Sequence, residues 1–227
     1  MKKTLFSLIL FFLTISNLGA HTSHYKGIKV INMEVFRNEN LIGYSNYFFT
    51  HGKNSLEVKN YTQFKVKLFN VIVFSVSSEA LEKYKNDKLI SYNSTTFQND
   101  KEKYVKLKYD DSLKKFIING SSYKGVAPKD FIVGTWWNHE IVKNSKQISP
   151  ISGRINKQKV KFLGKKDILI NGKNYNALHF HFLSDDDKPP KKKKLNMHVW
   201  YDSKKLLWIK ASYDKIGRWE YRLMEVR

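Results

Sequence analysis

The chain has 227 residues, no cysteine, and 41 basic against 20 acidic side chains, for a formal net charge of +21. The absence of cysteine excludes a disulfide-stapled scaffold, a thiolate metal site and a lipid anchor on a modified cysteine, so the fold must rest on its apolar core. Lysine supplies nearly all of the positive charge, with arginine only at positions 37, 154, 218, 222 and 227; phosphate-gripping sites favour the planar guanidinium fork, so this excess reads mainly as lysine tolerated at exposed positions.

Met1 to Ala20 opens on Lys2 and Lys3, runs through apolar Leu5–Ile15 broken by Ser7 and Thr14, and closes on Asn17, Gly19 and Ala20. That is the layout of a secretory signal peptide, too short for a membrane span, and polar His21-Thr22-Ser23-His24 offers no stop-transfer continuation. The expected location is therefore the periplasm or the extracellular space. Export discounts nucleic acid as partner and leaves anionic membrane surfaces or polysaccharides as expected counterparts of the charge, which falls from +21 to +19 without Lys2 and Lys3. Cleavage after Ala20 leaves residues 21–227 as a single β-rich domain, expected to be monomeric. It also makes His21 the first residue, where amine and ring together can chelate copper as half of a brace.

The mature chain alternates with period two. Leu56, Val58, Phe64, Val66 and Leu68 share one parity, interrupted by Asn60 and Thr62, while Glu57, Lys59, Gln63, Lys65 and Lys67 share the other. The same rhythm returns in Met197-Val199-Tyr201, in Leu207-Ile209-Ala211-Tyr213, and in Trp219-Tyr221-Leu223. Turn signals fall at Asn38-Glu39-Asn40, Asn86-Asp87, Asn99-Asp100, Asp110-Asp111, Asn119-Gly120, Asn171-Gly172, Asp202-Ser203 and Lys215-Ile216-Gly217. This spacing predicts an all-β fold, an antiparallel meander of about 10–12 strands. Ser77 to Lys85 fits a helix or a strand equally well. Residues 125–150 break the rhythm with Pro128, Gly134, Trp136, Trp137 and Pro150, predicting a long loop insertion with a helical turn near Asn138 to Lys143.

The hairpin Asn40-Leu41-Ile42-Gly43-Tyr44, then Trp136-Trp137-Asn138, Ser152-Gly153-Arg154, Trp200-Tyr201-Asp202 and Glu220-Tyr221-Arg222-Leu223 follow in an order that resembles the exported bacterial domain-of-unknown-function family 6134. The resemblance spans nearly the whole mature chain. It implies a secreted β-rich domain akin to open or half β-barrels that carry lipids, with no established reaction and no functional residues to transfer.

Three groups of residues invite chemistry. Trp136 and Trp137, with Asn138, sit on the predicted loop; adjacent tryptophans point apart, so one can plug the core while the other faces out, and the pair reads as a lid closing one end of the barrel or as a platform that contacts a ligand. His179 and His181 project from one face of a strand whose other face carries Leu178, Phe180 and Phe182. His198 lies in the next strand, and a register placing it across from His181 would gather three imidazoles for zinc or copper; a slip of one residue would turn it to the Phe180 face. The loop Asp185 to Lys194 puts three acids before five lysines, which suits a solvated tip or contact with an anionic leaflet. No nucleophile elbow, phosphate-cradling glycine loop or His-Glu-x-x-His pair occurs.

The leading expectation is a non-catalytic exported protein, without cofactor, that binds a lipid-like or amphipathic ligand in the half-barrel, with Trp136, Trp137 and Asn138 as contacts. The alternatives are a metal-dependent enzyme built on His179, His181 and His198, or a structural or adhesion module of the envelope.

Overall fold

Pro128 and Ile132 end and begin two strands that lie at opposite edges of one fifteen-stranded sheet. Four trans peptide steps reach at most about 15 Å, so the sheet must roll until its edges meet. The computed structural model describes residues 23–187, 189 and 194–227. The expected signal peptide, His21, and Lys188 and Lys191–Lys193 of the lysine run lie outside the described residues.

The first meander is β1 (Val30–Arg37), β2 (Asn40–His51), β3 (Ser55–Leu68), β4 (Val71–Lys85), β5 (Lys88–Gln98), β6 (Lys101–Asp110), β7 (Lys115–Gly120) and β8 (Tyr123–Pro128). The second is β10 (Lys146–Ile148), β11 (Ile155–Ile170), β12 (Lys173–Ser184), β13 (Asn196–Asp202), β14 (Trp208–Asp214) and β15 (Arg218–Val226), with β9 (Ile132–Val133) added parallel to β10 at its edge. The sheet runs from β8 down to β1, then from β15 down to β9, so the antiparallel pair β1–β15 joins the two meanders. No ladder links β8 to β9, and the roll remains an open half-barrel.

The expected all-β meander is therefore present, with more strands than spacing alone suggests. The predicted loop 125–150 holds the end of β8, the short β9 and β10, and a 3-10 helix at His139–Lys143 with Asn138 as its N-cap. Ser77 to Lys85 is the second half of β4. Asn119-Gly120 is no turn: both residues pair within β7, and the turn follows at Ser121-Ser122. Glycine is required there because a Cβ would come 2.5 Å from the Ser152 carbonyl oxygen, where the chain crosses over. Register slips also move two parities. Beyond a slip at Val66/Lys67, Leu68 is exposed, and a slip at Trp200/Tyr201 sets Trp208 rather than Ile209 opposite Tyr201.

The insertion 129–154 fills the roll. Trp137 and Ile141 pack among Tyr47, Phe49, Leu56, Val58 and Tyr84 of the first meander and Phe182, Val199, Tyr201 and Trp208 of the second. Val133 and Ile148 pack on Tyr92, Leu107, Phe116 and Ile118, so β9 and β10 cover the inner face of β5–β7. A third cluster, Val35, Phe64, Val66, Val76 and Trp219, lies towards the hairpin tips. The inner strand faces thus bury partly against an inserted segment.

Gly43, within the opening Asn40–Tyr44 hairpin strand, sits where β2 crosses β3 most closely. A Cβ there would lie 2.0 Å from the Gln63 carbonyl oxygen and 2.5 Å from the Phe64 Cα, backbone atoms that cannot step aside. Gly43→Ala is expected to cost about 3 kcal/mol by forcing the strands apart. Urea unfolding of the purified variant checks this; an unchanged midpoint would contradict it.

Candidate ligand-binding cavity

One walk along β3 separates a plugged end from an open one. Leu56 and Val58 pack on Trp137, whereas Asn60, Thr62, Phe64 and Val66, further along the same inner face, line a cavity of about 690 Å³. β4 repeats the order, with Tyr84 and Glu82 at the plug and Ala80, Ser78, Val76 and Phe74 at the cavity. The volume is in the usual range for small-molecule sites.

Its floor carries a row of hydroxyl groups. Register sets Ser45 opposite Thr62, Thr62 opposite Ser78, and Ser78 opposite Thr96, across β2, β3, β4 and β5. The Ser45 and Thr62 hydroxyls are 2.6 Å apart, those of Ser78 and Thr96 2.7 Å, and Asn60 Nδ2 donates to Ser45 Oγ at 3.2 Å. These groups satisfy one another, so the row is polar without requiring a partner. Only the interruption of the β3 apolar parity at Asn60 and Thr62 signals it in the sequence, and the row itself exists only through register.

Towards the mouth the walls turn aromatic. Trp219 stacks parallel to Tyr213 and meets Phe64 and Phe74 edge-on at 5.7 and 6.3 Å. Three cations, Arg37, Lys194 and Lys215, complete the lining; Arg37 lies over the Trp219 ring and donates through Nε to the Ile216 carbonyl oxygen at 3.1 Å. The cavity therefore grades from hydroxyl floor through apolar wall to basic rim.

The two loop tryptophans divide as their adjacency predicts. Trp137 is 1% exposed and forms the plug: its Nε1 donates to Glu82 Oε1 at 2.8 Å, and Tyr25, Phe49 and Tyr84 meet its ring edge-on. Trp136 is half-buried, lines the cavity and packs against Phe182, while its carbonyl oxygen accepts from Tyr201 OH at 2.9 Å. Asn138 is buried away from the cavity lining, and its Oδ1 accepts from the Glu140 backbone N–H at 3.1 Å, so it caps the 3-10 helix. Of the three expected contacts, the cavity lining includes Trp136 alone.

Glu82 was not singled out by sequence, since it sits among lysines and serines in β4. Burial pushes its carboxyl above the usual range, opposed by the hydrogen bonds from Trp137 and Tyr84. Tyr84 OH donates to its second oxygen at 2.6 Å.

His198 pairs with His181, the register that brings the three histidines side by side, on the face opposite Leu178, Phe180 and Val199. They form a chain rather than a convergent centre. His179 Nε2 is 2.8 Å from His198 Nδ1, His181 stacks on His198, and His181 Nε2 is turned to Asn196 Oδ1 at 2.7 Å. Among the described residues no group of three or more His, Asp or Glu side chains is arranged to hold a metal ion. Burial lowers the His179 pKa to about 4, with His198, His181 and Lys166 adding repulsion; burial lowers His198 as well. A histidine whose folded pKa is depressed binds fewer protons than the unfolded chain, so this cluster loses stability as pH falls from about 6.5 towards 4. An NMR titration of the His179 ring is expected to show a midpoint near 4; a midpoint near 6.5 would contradict the buried, stacked geometry.

A rolled, open sheet with one plugged and one open end defines a β-barrel-like protein. The chain belongs to the family described as domain of unknown function DUF6134, which matches residues 33–224. A crystal structure of a β-barrel-like protein of domain of unknown function DUF1849 from Brucella abortus is similar in fold, with a TM-score of 0.58 at 10% identity. The similarity covers 88% of this chain and 96% of that one. No curated protein matches the sequence.

Proposed function

We propose that the protein is a non-catalytic, exported, periplasmic binding protein that holds a lipid-like, amphipathic ligand in the open end of the half-barrel. The observation that carries this is the grading of the cavity. Aromatic and aliphatic walls suit acyl chains, and Arg37, Lys194 and Lys215 at the mouth suit an anionic headgroup. Apolar surface entering such a cavity contributes about 25 cal/mol per Å² of area removed from water. The Met1–Ala20 pattern supports export. Trp136 forms part of the inner wall, where its ring can meet the ligand.

The test is a titration of a fluorescent, anthroyloxy-labelled fatty acid into delipidated protein. Saturable binding at one probe per chain supports the proposal. Absence of any saturable signal would overturn it.

A further inference from the structure

The cavity opens beneath hairpin tips whose residues are wrong for their backbone. The β3–β4 turn is Phe69-Asn70, with φ of 48° and 63°, and the β14–β15 turn holds Ile216 at φ 49°. Left-handed backbone favours glycine or asparagine, and for a bulky aromatic or a β-branched residue it is strained. Both residues are also almost fully exposed, Phe69 at 93% and Ile216 at 85%. Neither the turn nor the core explains them. Beside Phe69, Leu68, Val71, Ile72 and Val73 are exposed as well, so the apolar surface is continuous along the hairpin.

The two tips are not neighbours in the sheet, since β1 and β2 lie between them, yet they lean together across the mouth. Phe74, behind the first tip, meets Trp219, behind the second, at 6.3 Å, and Val73 and Ile216 both line the cavity. Cations lie close to them: Lys65 and Lys67 at the end of β3, and Arg37, Lys194 and Lys215 in the cavity lining. Of the acids at this end, Glu39 is bound to Arg222 and Asp185 to Lys159, while Arg218, across the register from Asp214, is bound to Glu220; Asp100 lies in the adjoining β5–β6 turn. Exposed apolar tips flanked by cations match a surface that is anionic outside and apolar within.

We propose that these two hairpin tips form a docking site for an anionic lipid bilayer, with Phe69 and Ile216 entering the headgroup–acyl boundary and the flanking cations on the lipid phosphates. The site rests on the cavity reading above only for its purpose, since it would set the open end of the half-barrel against the membrane. It also assigns the basic surface a direction.

The experiment is co-flotation of the full mature chain with vesicles of phosphatidylglycerol and phosphatidylethanolamine, against vesicles of phosphatidylcholine. Binding to the anionic vesicles is expected to weaken with salt and to exceed binding to the neutral ones. Phe69→Asn is expected to reduce the partition coefficient about tenfold through the apolar area lost. Because asparagine tolerates the left-handed turn, its melting temperature should equal or exceed that of the parent. Lys65→Gln with Lys67→Gln should reduce the preference for anionic lipid. Phe69 does not line the cavity, so native mass spectrometry should find the same ligand content in Phe69→Asn as in the parent. Parent protein that ignores anionic vesicles, or Phe69→Asn that floats like the parent, overturns the docking site. So does sedimentation showing that the tips join two copies, with Phe69→Asn turning dimer into monomer. Ligand-loaded protein that fails to float refutes docking alone, whereas empty protein that floats refutes the cavity reading alone.

Discussion

Trp137→Ala is expected to lower the melting temperature by on the order of 10 °C. Removing a fully buried tryptophan costs about 3–5 kcal/mol, and for a chain of this size each kcal/mol is worth roughly 2–4 °C. The loss has two parts. The indole is the hub on which Tyr25, Phe49 and Tyr84 meet, so its removal leaves a void between the two meanders. Its N–H also satisfies Glu82, and alanine would leave that buried oxygen without its donor. Thermal unfolding followed by circular dichroism checks this, and a shift of only a degree or two would show that the plug is not what holds the roll together.

Glu82 gives the same region a pH signature. Its folded pKa is raised, so between its unfolded value of 4.5 and its folded value the native state holds a proton that the unfolded chain has released. Stability from this group is therefore fully present below pH 4.5 and is lost as pH rises through that window, opposite in sign to the histidine effect. Glu82→Gln keeps an oxygen to accept from Trp137 and cannot ionise. Its stability is expected to fall less than that of the parent between pH 4.5 and 8. Parallel profiles would mean that Glu82 is already ionised in the fold.

Ser78→Trp is expected to abolish ligand binding, weakening the acyl probe by on the order of a hundredfold or more because the indole occupies the space the ligand needs. Ser78 lies mid-floor between Thr62 and Thr96, with its side chain towards the cavity. The structural cost should be modest, about 1 kcal/mol for the lost hydroxyl pair with Thr96. Val76→Trp, nearer the mouth, offers a second blockade should the first fold poorly. An unchanged probe affinity in both variants would place the binding elsewhere.

Most of the strands were legible because alternation survives wherever one face is wet, as in Leu56 to Val66. Positive φ at Asn38, Asn86, Asn99 and Asn171 likewise bears out those turn signals. The turn at Phe69-Asn70 was hidden by its own oddity, since phenylalanine is no turn residue and reads as a continued strand. Asn119-Gly120 misled in the opposite way, its glycine serving a close crossing rather than a turn. The site was far less legible. A hydroxyl row made of Ser45, Thr62, Ser78 and Thr96 consists of single residues in four strands, and nothing short of register joins them. The same holds for Trp137 and Glu82, 55 positions apart, and for the β1–β15 pair that joins the ends of the chain. The histidines show the limit most clearly: their shared face was readable, but the hydrogen-bonded chain they form was not.

The central claim is that the open end of the half-barrel holds an amphipathic lipid. Native mass spectrometry of the protein purified gently from its own host tests it most directly, with Ser78→Trp prepared alongside. The expected spectrum shows the parent carrying one added mass of lipid size, released by organic solvent, and the variant carrying none. Parent protein that flies empty, or an adduct equally present on the blocked variant, would contradict the account.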